Sequence, residues 1–257
     1  NRRMKLSVNL NTVALLRKTK GEGRPSVRDF ANRAIDYGVS GLTLHPRPDH
    51  RHATSKDVVT ISQLCKERNV EFNIEGNPFS SPSGDFKGFL NLVEESQPDQ
   101  ITLVPDSPDQ ITSDHGWAAG NHDDDLKNII NNLKDLSNHS QISLFVDNMK
   151  GNKVNYDAID YAIDVGANLI EIHTGYFSKH IEEGNLSVVN KIESLINKAN
   201  QSNLMVNAGH DLNLINLPHL VKIGGINEVS IGHAIIIDAL NYGFEATIKS
   251  YIDTIKG

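Results

Sequence analysis

A closed (β/α)8 barrel (TIM barrel) forming one domain is the fold class this sequence predicts, on three observations. Short β-like runs alternate strictly with longer helix-like runs, eight such strands can be counted, and no composition break or low-complexity linker divides the 257 residues. Strict alternation implies parallel strands joined by right-handed crossovers, and eight units over about 250 residues suit a closed barrel better than an open doubly wound sheet.

In chain order the strand candidates are KLSVNL, SGLTLH, VEFNIE, QITLVP, ISLFVD, NLIEIH, LMVNAG and EVSIGH. The helical stretches VRDFANRAIDYG, SKDVVTISQLCKERN, FKGFLNLVEESQ, DLKNIINNLKDLS, NYDAIDYAIDVG and SVVNKIESLINKANQ lie between them and are amphipathic. The longest irregular stretches, Gly76 to Gly84 and Pro105 to Asp124, both follow strands, where barrel loops tend to carry function. Within the second, Trp117 to Asp125 with its acidic run reads as extra loop sequence. Asn1-Arg2-Arg3 precede the first strand and read as a frayed or cloning-derived end.

Hydrophobic content of 38% and charged content of 22% suit a soluble protein with a substantial core. A formal net charge of -7 argues against a nucleic-acid binder, whose footprint is a basic stripe, but leaves room for a local anion pocket. No apolar run is long enough to span a bilayer and no secretory h-region is evident, so neither membrane nor export is expected. The single cysteine, Cys65, has no internal partner and lies in a helical stretch, which points to a packed thiol in a reducing cytoplasm.

Parity within the strands says more than their number. Alternate residues face opposite sides, so a barrel strand gives one set to the helices and the other to the interior. Leu6, Val8 and Leu10 oppose Ser7, Asn9 and Asn11; Leu42 and Leu44 oppose Thr43 and His45; Val70, Phe72 and Ile74 oppose Glu71, Asn73 and Glu75. Ile170 and Ile172 oppose Glu171 and His173, and Leu204 and Val206 oppose Met205 and Asn207. The apolar sets belong under the helices. Polar groups then face inward near strand C-termini, where barrel enzymes place their active sites. Interiors are usually filled by bulky aliphatics, so packing alone does not account for this layer.

His45 opens HPRPDHRHATSKDV, in which Arg47, His50, Arg51 and His52 follow. The strand end offers an acid/base imidazole and the loop offers cations for phosphate. The bland alternative is a solvated basic loop capped by Thr54 or Ser55; Arg51 alone reads that way, His45 does not. Glu75 and Glu171 are inward carboxylates whose lost hydration raises their pKa toward a useful base, against the alternative of a structural ion pair. His173 stands between the two readings, and Asp147 could equally cap a turn. A metal centre built on His45, Glu75, Glu171, His173 and His210 competes, but no local ligand spacing such as HExxH supports it, and none is expected. The last two strands end NAGHDLN and SIGHA, where Gly209 and Gly232 let backbone N–H groups approach an anion at the start of AIIIDAL. For His233 the alternative is helix capping.

Taken together, VNLNTVALLR, GLTLHPRPDHRH, FNIEG, LVPD, IEIHTG, VNAGHDLN and SIGHA resemble the pyridoxine 5'-phosphate synthase family, in family order and over nearly the whole chain. The resemblance implies a transferase-class condensation of 1-deoxy-D-xylulose 5-phosphate with 3-amino-2-oxopropyl phosphate, in vitamin B6 biosynthesis. It implies no metal or organic cofactor, and a homo-octamer. By motif position His45 and Glu75 would be proton acceptors, His210 a proton donor and Glu171 a stabiliser of developing charge. Asn9, Asn11, Thr12, Lys20, Arg47, His52 and Thr112 would bind the phosphorylated substrates, with Asp211, Gly232 and His233 around the aminoketone phosphate. The irregular Pro105 to Asp124 stretch would close over them.

Four positions depart from the family pattern. Asn11-Thr12 replaces an Asp-His pair, Lys20 replaces an arginine and so lacks a bidentate fork, and Asp211 replaces a glycine, placing a carboxylate near an expected phosphate. Two other readings stand beside the synthase: a sugar-phosphate isomerase or aldolase on the same barrel, and a non-catalytic phosphate-ligand binder.

Overall fold

The computed structural model describes residues 3–120 and 122–257, so Asn1 and Arg2 of the expected frayed end lie outside the described residues. Eight parallel strands close a barrel: β1 (Lys5–Asn9), β2 (Gly41–Leu44), β3 (Glu71–Gly76), β4 (Gln100–Leu103), β5 (Gln141–Asp147), then β8 (Leu169–His173), β9 (Met205–Gly209) and β10 (Glu228–Ile231). Closure is explicit in the register, since Ser7 lies opposite both Ser230 and Gly41. Between β5 and β8 an antiparallel ribbon, β6 (Met149–Lys150) with β7 (Lys153–Val154), was not anticipated from the sequence.

The six expected helices are present as α2 (Val27–Asp36), α3 (Ser55–Arg68), α4 (Phe89–Ser96), α5 (Asp123–Leu136), α6 (Asp157–Val165) and α8 (Ser187–Gln201). Five more are α1 (Asn11–Lys18), α7 (Gly175–Glu182), α9 (Leu217–Ile223), α10 (His233–Tyr242) and α11 (Phe244–Lys256). Thr54 starts α3 through a reciprocal capping box with Asp57, which satisfies two otherwise orphaned N–H groups. The expectation of extra loop through Asp125 is corrected: Asp123, Asp124 and Asp125 form the first turn of α5, where acidic side chains meet the positive end of the helix dipole. Trp117 is pinned rather than loose, its indole N–H donating to the Leu103 carbonyl at 2.9 Å.

The apolar strand set is buried between barrel and helices, with Leu6, Val8, Leu42, Leu44, Phe72, Ile74, Ile170, Ile172 and Val206 all in the core. The polar set fills the lumen and pairs largely with itself, the buried Ser143 hydroxyl being an exception. Ser7 shares a hydrogen bond with Thr43 (2.7 Å), Asn73 donates to Thr43 (3.2 Å), and Thr102 donates to Asn73 (2.9 Å). Gln100 donates to Thr102 (3.3 Å) and accepts from Asn207 (3.3 Å) on a strand across the barrel. Such mutual pairing is what makes a buried polar layer tolerable.

The N-terminal end of the barrel holds Lys5, Glu71 and Glu228. Lys5 donates to Glu71 at 2.8 Å, while Glu228 is buried and its pKa is pushed up to about 8, first by burial and then by Glu71. A carboxyl with a raised folded-state pKa takes up a proton on folding. Its contribution is therefore most favourable below the unfolded value near 4.5 and is lost as pH rises through about 8. Glu228→Gln, which mimics the protonated form, should raise Tm over wild type at pH 8 and leave it nearly unchanged at pH 4.5. Equal shifts at both pH values in thermal melts would contradict this.

Candidate active site

The C-terminal mouth gathers groups from the ends of all eight barrel strands. At the end of β2, His45 is buried, and its Nδ1 lies 3.3 Å from Glu75 Oε1 at the end of β3. On its other side Nε2 lies 3.6 Å from Asp106 Oδ2, just beyond β4. The backbone that aims His45 is braced from β1: Asn11 accepts the His45 N–H at 2.9 Å, while the Asn11 N–H donates to the Asn9 side chain at 2.8 Å. The Asn9–Asn11 pair thus locks the ends of β1 and β2 together. Gly232, after β10, packs so close to Asn9 that a Cβ there would lie 2.9 Å from the Asn9 Cβ.

From the opposite wall come Glu171 and His173 of β8 and His210 after β9. Glu171 is buried, its Oε1 packs so close to Gly209 that an added Cβ there would sit 3.0 Å away, and its Oε2 has no protein partner. The His210 ring packs 4.9 Å from Phe145 and 5.2 Å from His173. His210 and Asp211 both have positive φ, 82° and 59°, a region that costs a non-glycine residue energy. Thr174 secures the turn by donating its hydroxyl to the carbonyls of Gly209 and His210 at 2.6 Å each, and Asn216 donates to the Asp211 carbonyl at 2.9 Å.

Burial sets the protonation states. It lowers the His45 pKa to about 3, with Arg47 adding to the effect and Asp106 opposing it. It lowers His210 to about 4 against the opposing charge of Glu75, and His52 to about 3. His173 is lowered by burial too, with Asp147 and Asp211 opposing. Glu75 is raised by burial, partly offset by His210 and Arg47, and Glu171 is raised well above the usual carboxylate range by burial, then by Glu75 and Glu228. The mouth therefore holds uncharged imidazoles beside carboxyls that favour their protons, so that little unpaired charge is buried there.

His45, Glu75, Glu171, His210, Arg47, His52, Asn9 and Gly232 converge on this mouth. Asn11 and Thr12 open α1 at its rim, Asp211 is exposed on the β9 turn, and His233 is the exposed first residue of α10. Lys20 and Thr112 are not brought in. Lys20 is exposed on the loop after α1, 3.8 Å from Glu22, and Thr112 is exposed beside Ile111. Among the described residues no group of three or more His, Cys, Asp or Glu is arranged to hold a metal ion.

Sequence reasoning passed over Asp106, Ser113 and Phe145. Parity in QITLVP and ISLFVD carried a signal: Gln100 and Thr102 alternate with Ile101 and Leu103, and Ser143 and Phe145 with Leu144 and Val146. Asp147 accepts the Gly116 N–H at 3.0 Å and stands 3.8 Å from His173 Nδ1, so it joins loop to strand. The solvated reading of Arg51 is corrected. Its guanidinium donates to the carbonyls of Gln110 (2.5 Å), Ile111 (2.8 Å) and Pro108 (3.2 Å), stapling the β2 loop to the β4 loop because a planar fork can serve several acceptors at once.

Two outcomes are expected. Nitrogen NMR should find the His45 and His210 rings uncharged at pH 5.5 in the free protein; an imidazolium at either position would contradict the burial argument. Arg51→Ala should speed proteolytic cleavage within 107–112 by roughly tenfold, the loss of about one charged hydrogen bond's worth of restraint, whereas an unchanged rate would show that the staple holds nothing.

The model for the family described as "Pyridoxal phosphate biosynthesis protein PdxJ" matches residues 6–257. A protein named pyridoxine 5'-phosphate synthase from Xanthomonas axonopodis pv. citri is 42% identical over 253 residues, 98% of this chain and 96% of the relative. One of the same name from Xylella fastidiosa is 41% identical over 257 residues, 99% of this chain and 96% of the relative. Among solved structures, tryptophan synthase from M. tuberculosis superposes with TM-score 0.65 at 8% identity, covering 100% of this chain and 94% of that one. Thiamine phosphate pyrophosphorylase from Pyrococcus furiosus gives 0.58 at 11%, covering 98% and 95%. At such identities these two speak for the barrel alone.

Proposed function

The chain belongs to the PdxJ family of pyridoxal phosphate biosynthesis proteins, and from that premise we infer that it is a pyridoxine 5'-phosphate synthase. The reaction joins 1-deoxy-D-xylulose 5-phosphate to 3-amino-2-oxopropyl phosphate and releases phosphate and water. The observation that carries this reading into chemistry is the convergence of His45, Glu75, Glu171 and His210 at one barrel mouth.

Imine formation, dehydration, enolisation and ring closure each move a proton, so several groups must lie within reach of one intermediate. Uncharged His45 has a lone pair to accept a proton, and Glu75 at 3.3 Å can take it on or return it. His210 is the donor in this reading. Its basicity, depressed in the empty mouth, rises when two phosphate dianions enter, because a nearby anion favours the imidazolium. Glu171, held toward its protonated form, can donate a hydrogen bond to a developing oxyanion.

For the phosphates, Arg47 and His52 serve one side, while Gly232 and the N-terminus of α10 with His233 and Asp211 serve the other. Asn9, Asn11 and Thr12 line the rim between them. Lys20 and Thr112 reach substrate in this reading only when their loops close, and because Trp117 and Gly116 are tied to the barrel and Arg51 holds the carbonyls of Pro108, Gln110 and Ile111, closure of the Pro105 to Asp124 stretch requires that Arg51 staple to let go. This chemistry calls for neither metal nor organic cofactor. No barrel strand ends in the lysine that Schiff-base aldolase chemistry would want.

The assembly we propose is a homo-octamer in the cytoplasm. Support for self-association comes from exposed apolar side chains on α1 (Leu15, Leu16) and α10 (Ile237, Leu240, Tyr242). Among the described residues no helix is long and apolar enough to cross a membrane, and Cys65 is a buried free thiol.

Purified protein given both substrates and no added cofactor should form pyridoxine 5'-phosphate. Absence of product from folded protein, or turnover of a single phosphosugar without the aminoketone, overturns the reading. His45→Ala or Glu75→Gln should each cut the rate by about a hundredfold or more with the circular dichroism spectrum unchanged; wild-type rates in either variant would remove that residue from the chemistry.

A further inference from the structure

Asp106 lies on the loop that leaves β4 and carries none of the roles assigned above, yet its side chain is almost fully buried beside two residues that do. One oxygen, Oδ2, gathers three groups from two loops. It pairs with an Arg47 guanidinium nitrogen at 2.7 Å, accepts from the Ser113 hydroxyl at 2.7 Å, and faces His45 Nε2 at 3.6 Å. The Asp106 carbonyl is itself held by the Asn77 side chain at 2.8 Å, which fixes the turn. Two polar atoms in this arrangement have no protein partner although buried: Asp106 Oδ1 and Arg47 Nε.

A buried guanidinium is expensive unless paired, and a single-contact pair leaves most of its donors unused. Arg47 is thus gripped at one terminal nitrogen by Asp106 while its buried Nε has no protein partner. Ser113 adds a second effect, because its hydroxyl makes Asp106 the point where the loop carrying Thr112 is tied to the end of β2. We propose that Asp106 is a positioning residue for the site, acting through Arg47: its carboxylate fixes the direction of the guanidinium that receives the ketose phosphate. The proposal rests on the functional reading above for the identity of that ligand.

A double-mutant cycle on the purified full chain tests it, with Asp106→Asn, Arg47→Ala and the double variant. Asp106→Asn should raise KM for 1-deoxy-D-xylulose 5-phosphate by about tenfold, with little change in KM for the aminoketone, and Asp106→Glu should recover part of the loss. In the Arg47→Ala background the same Asp106→Asn change should alter that KM by less than about twofold, because the group it acts through is gone.

Thermal melts give a second readout independent of turnover. Asp106→Asn should lower Tm in the wild-type background but raise it in the Arg47→Ala background, where the carboxylate would otherwise be buried without its cation. Equal KM effects in both backgrounds, or equal effects on both substrates, overturn the proposal while leaving the synthase reading intact. So does a Tm change of the same sign in both backgrounds. A folded wild type that neither binds nor turns over the ketose phosphate overturns the functional reading, and the role of Asp106 in binding with it.

Discussion

The hydrogen-bonded belt across the lumen is the constraint on which the rest of this barrel depends. Apolar residues on one parity of each strand are used up in packing against the helices, which leaves the other parity to fill the interior with Ser7, Thr43, Asn73, Gln100, Thr102 and Asn207. An unpaired buried polar group costs about 1–3 kcal/mol, so these side chains are tolerable only because they pair with each other. The Asn207–Gln100 contact reaches across strands that are not neighbours in the sheet. The belt therefore ties opposite walls together and forms a floor beneath the mouth.

Above that floor the same parity rule places Glu75, Glu171 and His45, and here pairing is incomplete by comparison. Glu171 Oε2 has no protein partner, and His45 stands between two carboxyl groups at distances longer than good hydrogen bonds. The energetic answer is to give up charge: burial moves imidazoles toward neutral and carboxyls toward protonated. What would be a set of buried charges becomes a set of neutral imidazoles and protonated carboxyls, which the site can hold without counter-ions. Arg47 with Asp106 forms a close ion pair at the mouth, which keeps one buried cation fixed there.

The barrel itself was legible because strand and helix alternate with clear periods, and the polar parity was legible because alternation survives in sequence. His45, Glu75 and Glu171 followed from it directly. Asp106 did not, since it lies past Pro105 and outside the strand, where parity no longer fixes direction; its value depends on Arg47 and Ser113, which are distant in the chain. Arg51 was misread for a related reason. A guanidinium in a basic loop looks solvated until the loop across from it supplies three carbonyls, and backbone acceptors leave no mark on sequence. The helices α1 and α7, eight residues long, lie directly after strand ends, where their few apolar residues read as part of the preceding strand or loop, whereas the equally short α4 stands clear of its strand.

The turn at His210 and Asp211 follows a different logic, because sequence supplied the residues but not the strain. Two consecutive non-glycine residues at positive φ cost about 1–2 kcal/mol each, and glycine at either position would remove most of that. The cost is met by Thr174 and Asn216, whose side chains hold the carbonyls of the turn. What the strain achieves is direction: the imidazole of His210 is laid against Phe145 and set within electrostatic reach of Glu75. Asp211, which stands where the family pattern has glycine, has its carboxylate near Gly175 and acts on His173 together with Asp147. Its charge is thus spent on the His173 side of the mouth, opposite the Arg47 side.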